Sequence, residues 1–288
     1  MTTVLLRRAG FGFGVGGFDL KTLLFEPING GHHYMLIAPG WFIPTLFLLE
    51  VCNVYGRKLL GKFKLDNEYA IMVLYLVLGL ACVWLAKRGS VYDYYRIPAR
   101  LMFMAPVFQF GRLYKVKLES DKKYVPCVMV TIAIIINIIL HFTQIGLAFS
   151  AVWVSGFAGG IWLPYLTIFS GIMLWLGVSK IIDSSLAGKV GTCVKNSICY
   201  IGSHTFSICM LHLSAFFVMN TVLAKMDLNG FDYERYMSDV YYAYSGFGNA
   251  FMLIYVVIGL ITSLALCWCV YRIRSFVCGL QITGKIMK

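Results

Sequence analysis

Between Glu68 and Ala86 the chain reads EYAIMVLYLVLGLACVWLA, and between Ala250 and Val270 it reads AFMLIYVVIGLITSLALCWCV. Neither run carries a charge beyond its first residue. As helices rising 1.5 Å per residue, both are long enough to cross ~30 Å of hydrocarbon. No water reaches that depth, so the backbone must satisfy its own hydrogen bonds, which a helix does within one segment. The rest of the chain agrees. Of its 288 residues 59% are hydrophobic and 13% are charged, the latter about half the share usual in soluble domains. The predicted class is an all-α polytopic membrane protein, with 1–288 as one membrane domain.

Seven spans are expected, at 36–55, 69–86, 97–113, 124–142, 160–182, 197–223 and 250–270. Pro98, Arg100 and Pro106 interrupt the third, and Pro164 with three glycines interrupts the fifth. The net charge is +12, from 25 Lys and Arg against 13 Asp and Glu. Most of these cations fall in the segments that alternate on one side: 56–68, 114–123, 183–196 and the C-terminus. Positive charge collects on the cytoplasmic side of membrane proteins. The C-terminus is therefore expected in the cytoplasm, with 1–35 an external segment, 36–275 the transmembrane bundle and 276–288 a cytoplasmic tail. The same bias accounts for the cations without nucleic acid, and no basic stripe with solvent-facing aromatics argues for it.

Nine cysteines are scattered through the chain with no CxxC pair, so neither a metal site nor a disulfide framework is expected. The opening MTTVLLRRAGFGFGVGG is not a secretory signal, because Arg7 and Arg8 precede any apolar core. Either an internal span drives insertion or further sequence precedes this chain. The loop 224–247 is expected outside and carries Tyr233, Tyr236, Tyr241, Tyr242 and Tyr244. Such a segment is either an interfacial belt or a stacking surface for a sugar.

Candidate chemistry lies in three places. In NGGHHYMLIAPGWFIPTLF, His32 and His33 precede the first span, where a histidine serves as a general base or as an interfacial polar residue. In YIGSHTFSICMLHLSAFF, His204 and His212 are eight residues apart. On one helix that is ~12 Å along the axis and ~80° around it, too far for both to serve one reacting group. Ser203 is a candidate cap for a helix beginning near His204. His212 lies deeper, where a polar side chain marks either function or a bond between helices. Arg96 and Arg100 are one helical turn apart on the shoulder of the third span, placed to clamp an anion or to snorkel toward headgroups. At the end of the fifth span, Asp183 is expected to pair with Lys180. No GxSxG, HExxH or P-loop pattern occurs.

The order of three features resembles the acyltransferase 3 family of membrane O-acyltransferases. The segment IGSHTFSICMLH is similar to the family's late-helix signature through Ile201, Gly202, Thr205, Ile208 and His212. APGWFIPTLFLLEV resembles its Trp-Phe span through Trp41, Phe42, Leu46 and Phe47. RLMFMAPVFQFGRLYKVK resembles a span leading into a basic cytoplasmic loop through Pro106, Phe108, Gly111 and Lys115. Within the family the likeness is to sugar O-acetylases of the fucose O-acetylase type.

The resemblance implies ten spans with both ends cytoplasmic. Seven spans with an external start would leave three in front, among them the family's histidine near its first span and its Arg-x-x-Arg pair. The implied activity is transfer of an acyl group, typically acetyl, from acetyl-CoA to a hydroxyl of a cell-envelope glycan or lipid-linked sugar. The expected site comprises His33 and His212 as catalytic residues and Trp41, Arg96 and Arg100 as substrate-binding ones, with no metal. The expected location is a multi-pass position in the plasma membrane, the inner membrane of a bacterium, in contact with membrane lipid. The other readings of the chain are a transporter or flippase-like protein for a lipid-linked sugar, and a non-catalytic partner subunit.

Overall fold

The computed structural model describes residues 6–13, 19–22, 25, 35–64, 67–92, 95–119, 124–143, 149–186 and 188–286. Its helices are α1 (Phe42–Lys62), α2 (Glu68–Lys87), α3 (Arg96–Leu113), α4 (Tyr124–Phe142), α5 (Leu163–Ser185), α6 (Gly188–Ser203), α7 (Thr205–Lys225), α8 (Tyr233–Ser238) and α9 (Phe251–Ile286). Among the described residues there is no β-strand, only an isolated antiparallel bridge between Ser150 and Ser155. Among the described residues four helices are long and apolar enough to cross a membrane: α2, α5, α7 and the Phe251–Ile273 part of α9.

The helices begin and end where local chemistry directs. Asn67 caps α2, its side chain accepting from the Tyr69 amide at 2.9 Å. At the other end Gly89 adopts φ +73°, and the Gly89 and Ser90 amides return to the Ala86 and Leu85 carbonyls. This pairing closes a helix when a left-handed residue follows its last turn. Pro164 does not interrupt the fifth span, because α5 starts only at Leu163 and leaves the proline in the first turn. An amide there would have no helical acceptor. Pro98 likewise falls in the first turn of α3, and only Pro106 lies in its interior.

The chain forms two compact units. One is built on Trp41–Lys195 and the other on Asn196–Lys288, with the described parts of Met1–Leu24 and His32–Gly40. In the first unit α3 packs on α1 and α2, and α4 packs on α5. Its core gathers Cys82 and Val83 of α2, Ala99 and Phe103 of α3, Val154 and Phe157 of the connection, and Tyr165 of α5. Helix α3 is the least hydropathic of the expected spans yet buries Ala99, Arg100, Phe103, Ala105, Pro106, Gln109 and Leu113. It faces protein on several sides, so its polar residues meet protein partners instead of lipid. Gly79 makes this packing possible. A Cβ there would stand 2.2 Å from the Tyr165 hydroxyl and 2.8 Å from Pro106 Cγ. That hydroxyl donates to the Phe103 carbonyl at 3.0 Å, beside the stretch where Pro106 removes a helical donor.

In the second unit α7 packs on α9. The expected sixth span is two helices, α6 and α7, parted at His204. The loop tyrosines divide. Tyr236, Tyr242 and Tyr244 are buried with Phe231, Met219, Leu223 and Tyr255, whereas Tyr233 and Tyr241 are exposed. Three of the five thus form a core and not a belt, because their hydroxyls find partners inside. Tyr242 accepts from the Asp232 amide at 3.0 Å, Tyr244 donates to the Asn229 carbonyl at 2.8 Å, and Tyr236 shares a 2.7 Å bond with Thr221. The N-terminal residues join this end: Phe11 rests edge-on against Phe217 and Tyr236, and the Gly12 amide donates to Met237.

Candidate functional site

Two polar clusters lie at opposite ends of α3, and each draws on elements distant in sequence. At the amino-terminal end Arg100 is only 1% exposed. Its Nε donates to the Val152 carbonyl at 2.7 Å, and its guanidinium lies 5.4 Å from the centre of the Trp41 ring. One turn earlier the Arg96 guanidinium stands 4.8 Å from the Trp153 ring. Snorkelling to the surface therefore does not describe Arg100, whose charge is held inside against an aromatic face and a carbonyl dipole. Both arginines turn toward Val152–Trp153, as their spacing of one helical turn predicts.

That neighbouring segment is a tight loop. Ser150 and Ser155 exchange amide-to-carbonyl bonds of 2.8 and 3.2 Å. Val154 takes φ +48° at its exit, a conformation that β-branched residues rarely adopt. Burial of its side chain in the first unit's core holds it there. Trp41, Arg96 and Arg100 are thus brought together, with Val152 and Trp153 as members that sequence reading omitted. Nothing in AFSAVWVSG marks the loop except its closeness in space.

The second cluster is centred on Glu68, the first residue of α2. Arg57 clasps its carboxylate with two bonds, 3.0 and 2.8 Å. Gln109 donates to the same carboxylate at 2.8 Å and Arg112 at 3.1 Å. Arg57 also donates to the Gln109 side-chain oxygen at 2.7 Å and to Asn53 at 3.1 Å. The Tyr75 hydroxyl donates to that same Asn53 oxygen at 3.2 Å. Two-pronged Arg–carboxylate pairing fixes direction as well as distance, so α1, α2 and α3 are locked in register at this end. Nothing in the sequence marks Arg57, Gln109 and Arg112 as partners of one carboxylate. A signal was available in Glu68, an acid opening an apolar run.

In the second unit His212 is half-buried on α7. Its Nδ1 lies 2.7 Å from the Cys209 carbonyl and its ring meets Phe216 edge-on at 5.5 Å. A carbonyl only accepts, so Nδ1 carries the hydrogen and, in the neutral ring, Nε2 keeps its lone pair. Two turns onward Asn220 is buried, donating to the Tyr242 carbonyl at 2.7 Å and accepting from the Tyr255 hydroxyl. His204 does not follow a Ser203 cap: Ser203 Oγ bonds back to Tyr200, and His204 itself occupies the capping position without a side-chain cap.

His33 and its neighbour His32 lie outside the described residues. Asp183 pairs with Lys195 at 2.6 Å and not with Lys180, which donates to the Glu119 carbonyl at 2.5 Å. Among the described residues no group of three or more His, Cys, Asp and Glu is placed to hold a metal ion.

The all-α fold and its four long apolar helices define an α-helical membrane protein. No family model, curated protein or solved structure matches the chain.

Proposed function

We propose that the chain belongs to a membrane O-acyltransferase that transfers an acyl group, acetyl by preference, from acyl-CoA to a hydroxyl of a cell-envelope glycan or lipid-linked sugar. The observation that carries this reading is the His212 ring, fixed by the Cys209 carbonyl with Nε2 as its basic atom. It lies in the stretch that resembles the acyltransferase 3 signature. In this reading Nε2 takes the proton of the acceptor hydroxyl as its oxygen attacks the thioester carbonyl. The tetrahedral oxyanion collapses to an ester and a thiolate, and the thiolate takes up the proton. Within the first unit, Arg100, buried against Trp41 with Arg96 a turn away, is suited to an anionic group.

The proposed topology has seven spans in the plasma membrane, with the C-terminus cytoplasmic. The test is the O-acetyl content of envelope glycan in cells with and without the gene, complemented by wild type, His212→Ala and His33→Ala. Wild type restores acetylation. His212→Ala lowers it by 10²-fold or more, the scale of losing a general base. Unchanged acetylation on deletion overturns the enzyme, and full activity in His212→Ala removes that residue's role.

A further inference from the structure

The second unit contains a cleft that the acyl-transfer reading does not use. It lies between the end of α6 and the far part of α9, and has a volume of about 520 Å³. Tyr200 and His204 line one side; Cys267, Trp268, Tyr271 and Arg272 line the other. The two sides have the same construction. Tyr200 and His204 are one turn apart, and their rings meet at 4.3 Å between centres, tilted by 39°. Trp268 and Arg272 are also one turn apart, the guanidinium 5.1 Å from the indole centre. Each cationic or ionisable group is thus backed by an aromatic ring.

Its level along the helix identifies the environment. The membrane-crossing part of α9 ends at Ile273, so the cleft sits where the apolar run gives out. Trp268 and Tyr271 are 54% and 70% exposed at that level. Scattered interfacial aromatics would touch every lipid alike. Here they form the walls of a concave space with a guanidinium at its rim, and a guanidinium matches phosphate oxygens in pairs. The volume suits a headgroup with the upper part of its chains. His204 Nδ1 is already engaged, 2.9 Å from the Tyr200 carbonyl and 3.1 Å from Ser203 Oγ, which fixes the ring and leaves Nε2 as its second polar atom.

We infer that this cleft is a binding site for an anionic phospholipid, whose phosphate pairs with Arg272 beside His204 while its upper chains lie against Tyr200, Trp268 and Tyr271. The site does not rest on the acyltransferase reading and holds equally for a protein with another activity.

The test uses the full chain in nanodiscs and in detergent. Native mass spectrometry with phosphatidylglycerol and phosphatidylcholine at equal fractions measures the lipid retained. Wild type keeps phosphatidylglycerol in preference. R272Q lowers that preference about fivefold, the effect of one basic residue near a membrane surface. R272K keeps most of it, and R235Q, altered on the exposed helix α8, leaves it intact. A second arm compares wild type with W268F, so that it stands even if R272Q fails to fold. Brominated phosphatidylglycerol at low fraction quenches tryptophan fluorescence more than brominated phosphatidylcholine, and W268F abolishes the difference. In a third arm, inorganic phosphate and glycerophosphoglycerol at millimolar concentration leave the retained lipid in place. Equal retention of the two lipids, R272Q behaving as wild type, or equal quenching overturns the inference. Displacement by phosphate alone overturns it in favour of a soluble-anion site.

Discussion

At the scale of single residues, Gly79 and Gly171 show how one chemical change acts in opposite directions. Both lie inside helices, where replacing glycine by alanine gains about 1 kcal/mol of helix propensity. A Cβ at Gly171 meets nothing within 4 Å, so Gly171→Ala is expected to stabilise the protein by up to about that amount. A Cβ at Gly79 would overlap the Tyr165 ring and Pro106, both held in the packed interior. Overpacking of this kind costs about 1–3 kcal/mol or more. It outweighs the propensity gain, so Gly79→Ala is expected to lower the thermal unfolding midpoint in detergent while Gly171→Ala raises it or leaves it unchanged. A higher midpoint for Gly79→Ala would show that the α2–α3–α5 contact is looser than described.

At the scale of elements, the Glu68 cluster joins three helices through partners 11, 41 and 44 residues away in sequence. The Glu68 side chain is 13% exposed and that of Arg112 46%. Their replacements should therefore differ in severity. Glu68→Gln leaves the largely buried Arg57 without its carboxylate and is expected to cost about 3–5 kcal/mol. Arg112→Gln loses a half-exposed contact worth about 1 kcal/mol or less. Thermal unfolding of the two variants checks the ranking, and equal midpoints would contradict it. The same element shows why hydropathy underrated α3. A helix surrounded by helices can bury Arg100 and Gln109 because α1, α2 and the 150–155 loop supply their partners.

At the scale of the whole molecule, charge bias predicts which face of the membrane each end meets. A fluorescent protein fused after Lys288, of a kind that matures only in the cytoplasm, is expected to glow. Alkaline phosphatase inserted at Gly230 is expected to be active. The reverse pair of results would invert the topology. One structural finding bears on this arrangement. Residues 6–13 pack on the loop that follows α7, in keeping with an N-terminal segment and a loop on the same side.

Much of the helical order was legible in the sequence. Apolar runs such as 68–86 and 250–270 can bury their backbone in lipid only as helices, so length and composition alone locate them. The proline positions were legible only as residues. Whether Pro98 and Pro164 break a helix or begin one depends on where capping places the first turn. The candidate site divides on the same principle. Arg96 and Arg100 share a face because helical periodicity is local, and sequence predicts it. Their meeting with Trp41 and Trp153, the clasp of Arg57 and Gln109 on Glu68, and the burial of Tyr236, Tyr242 and Tyr244 were not legible. The sequence by itself determined that this chain is helical and membrane-bound, because transfer free energy and backbone satisfaction are summed along the chain. Only the tertiary structure decided which polar groups are buried together, because that depends on distances between residues that the chain holds far apart.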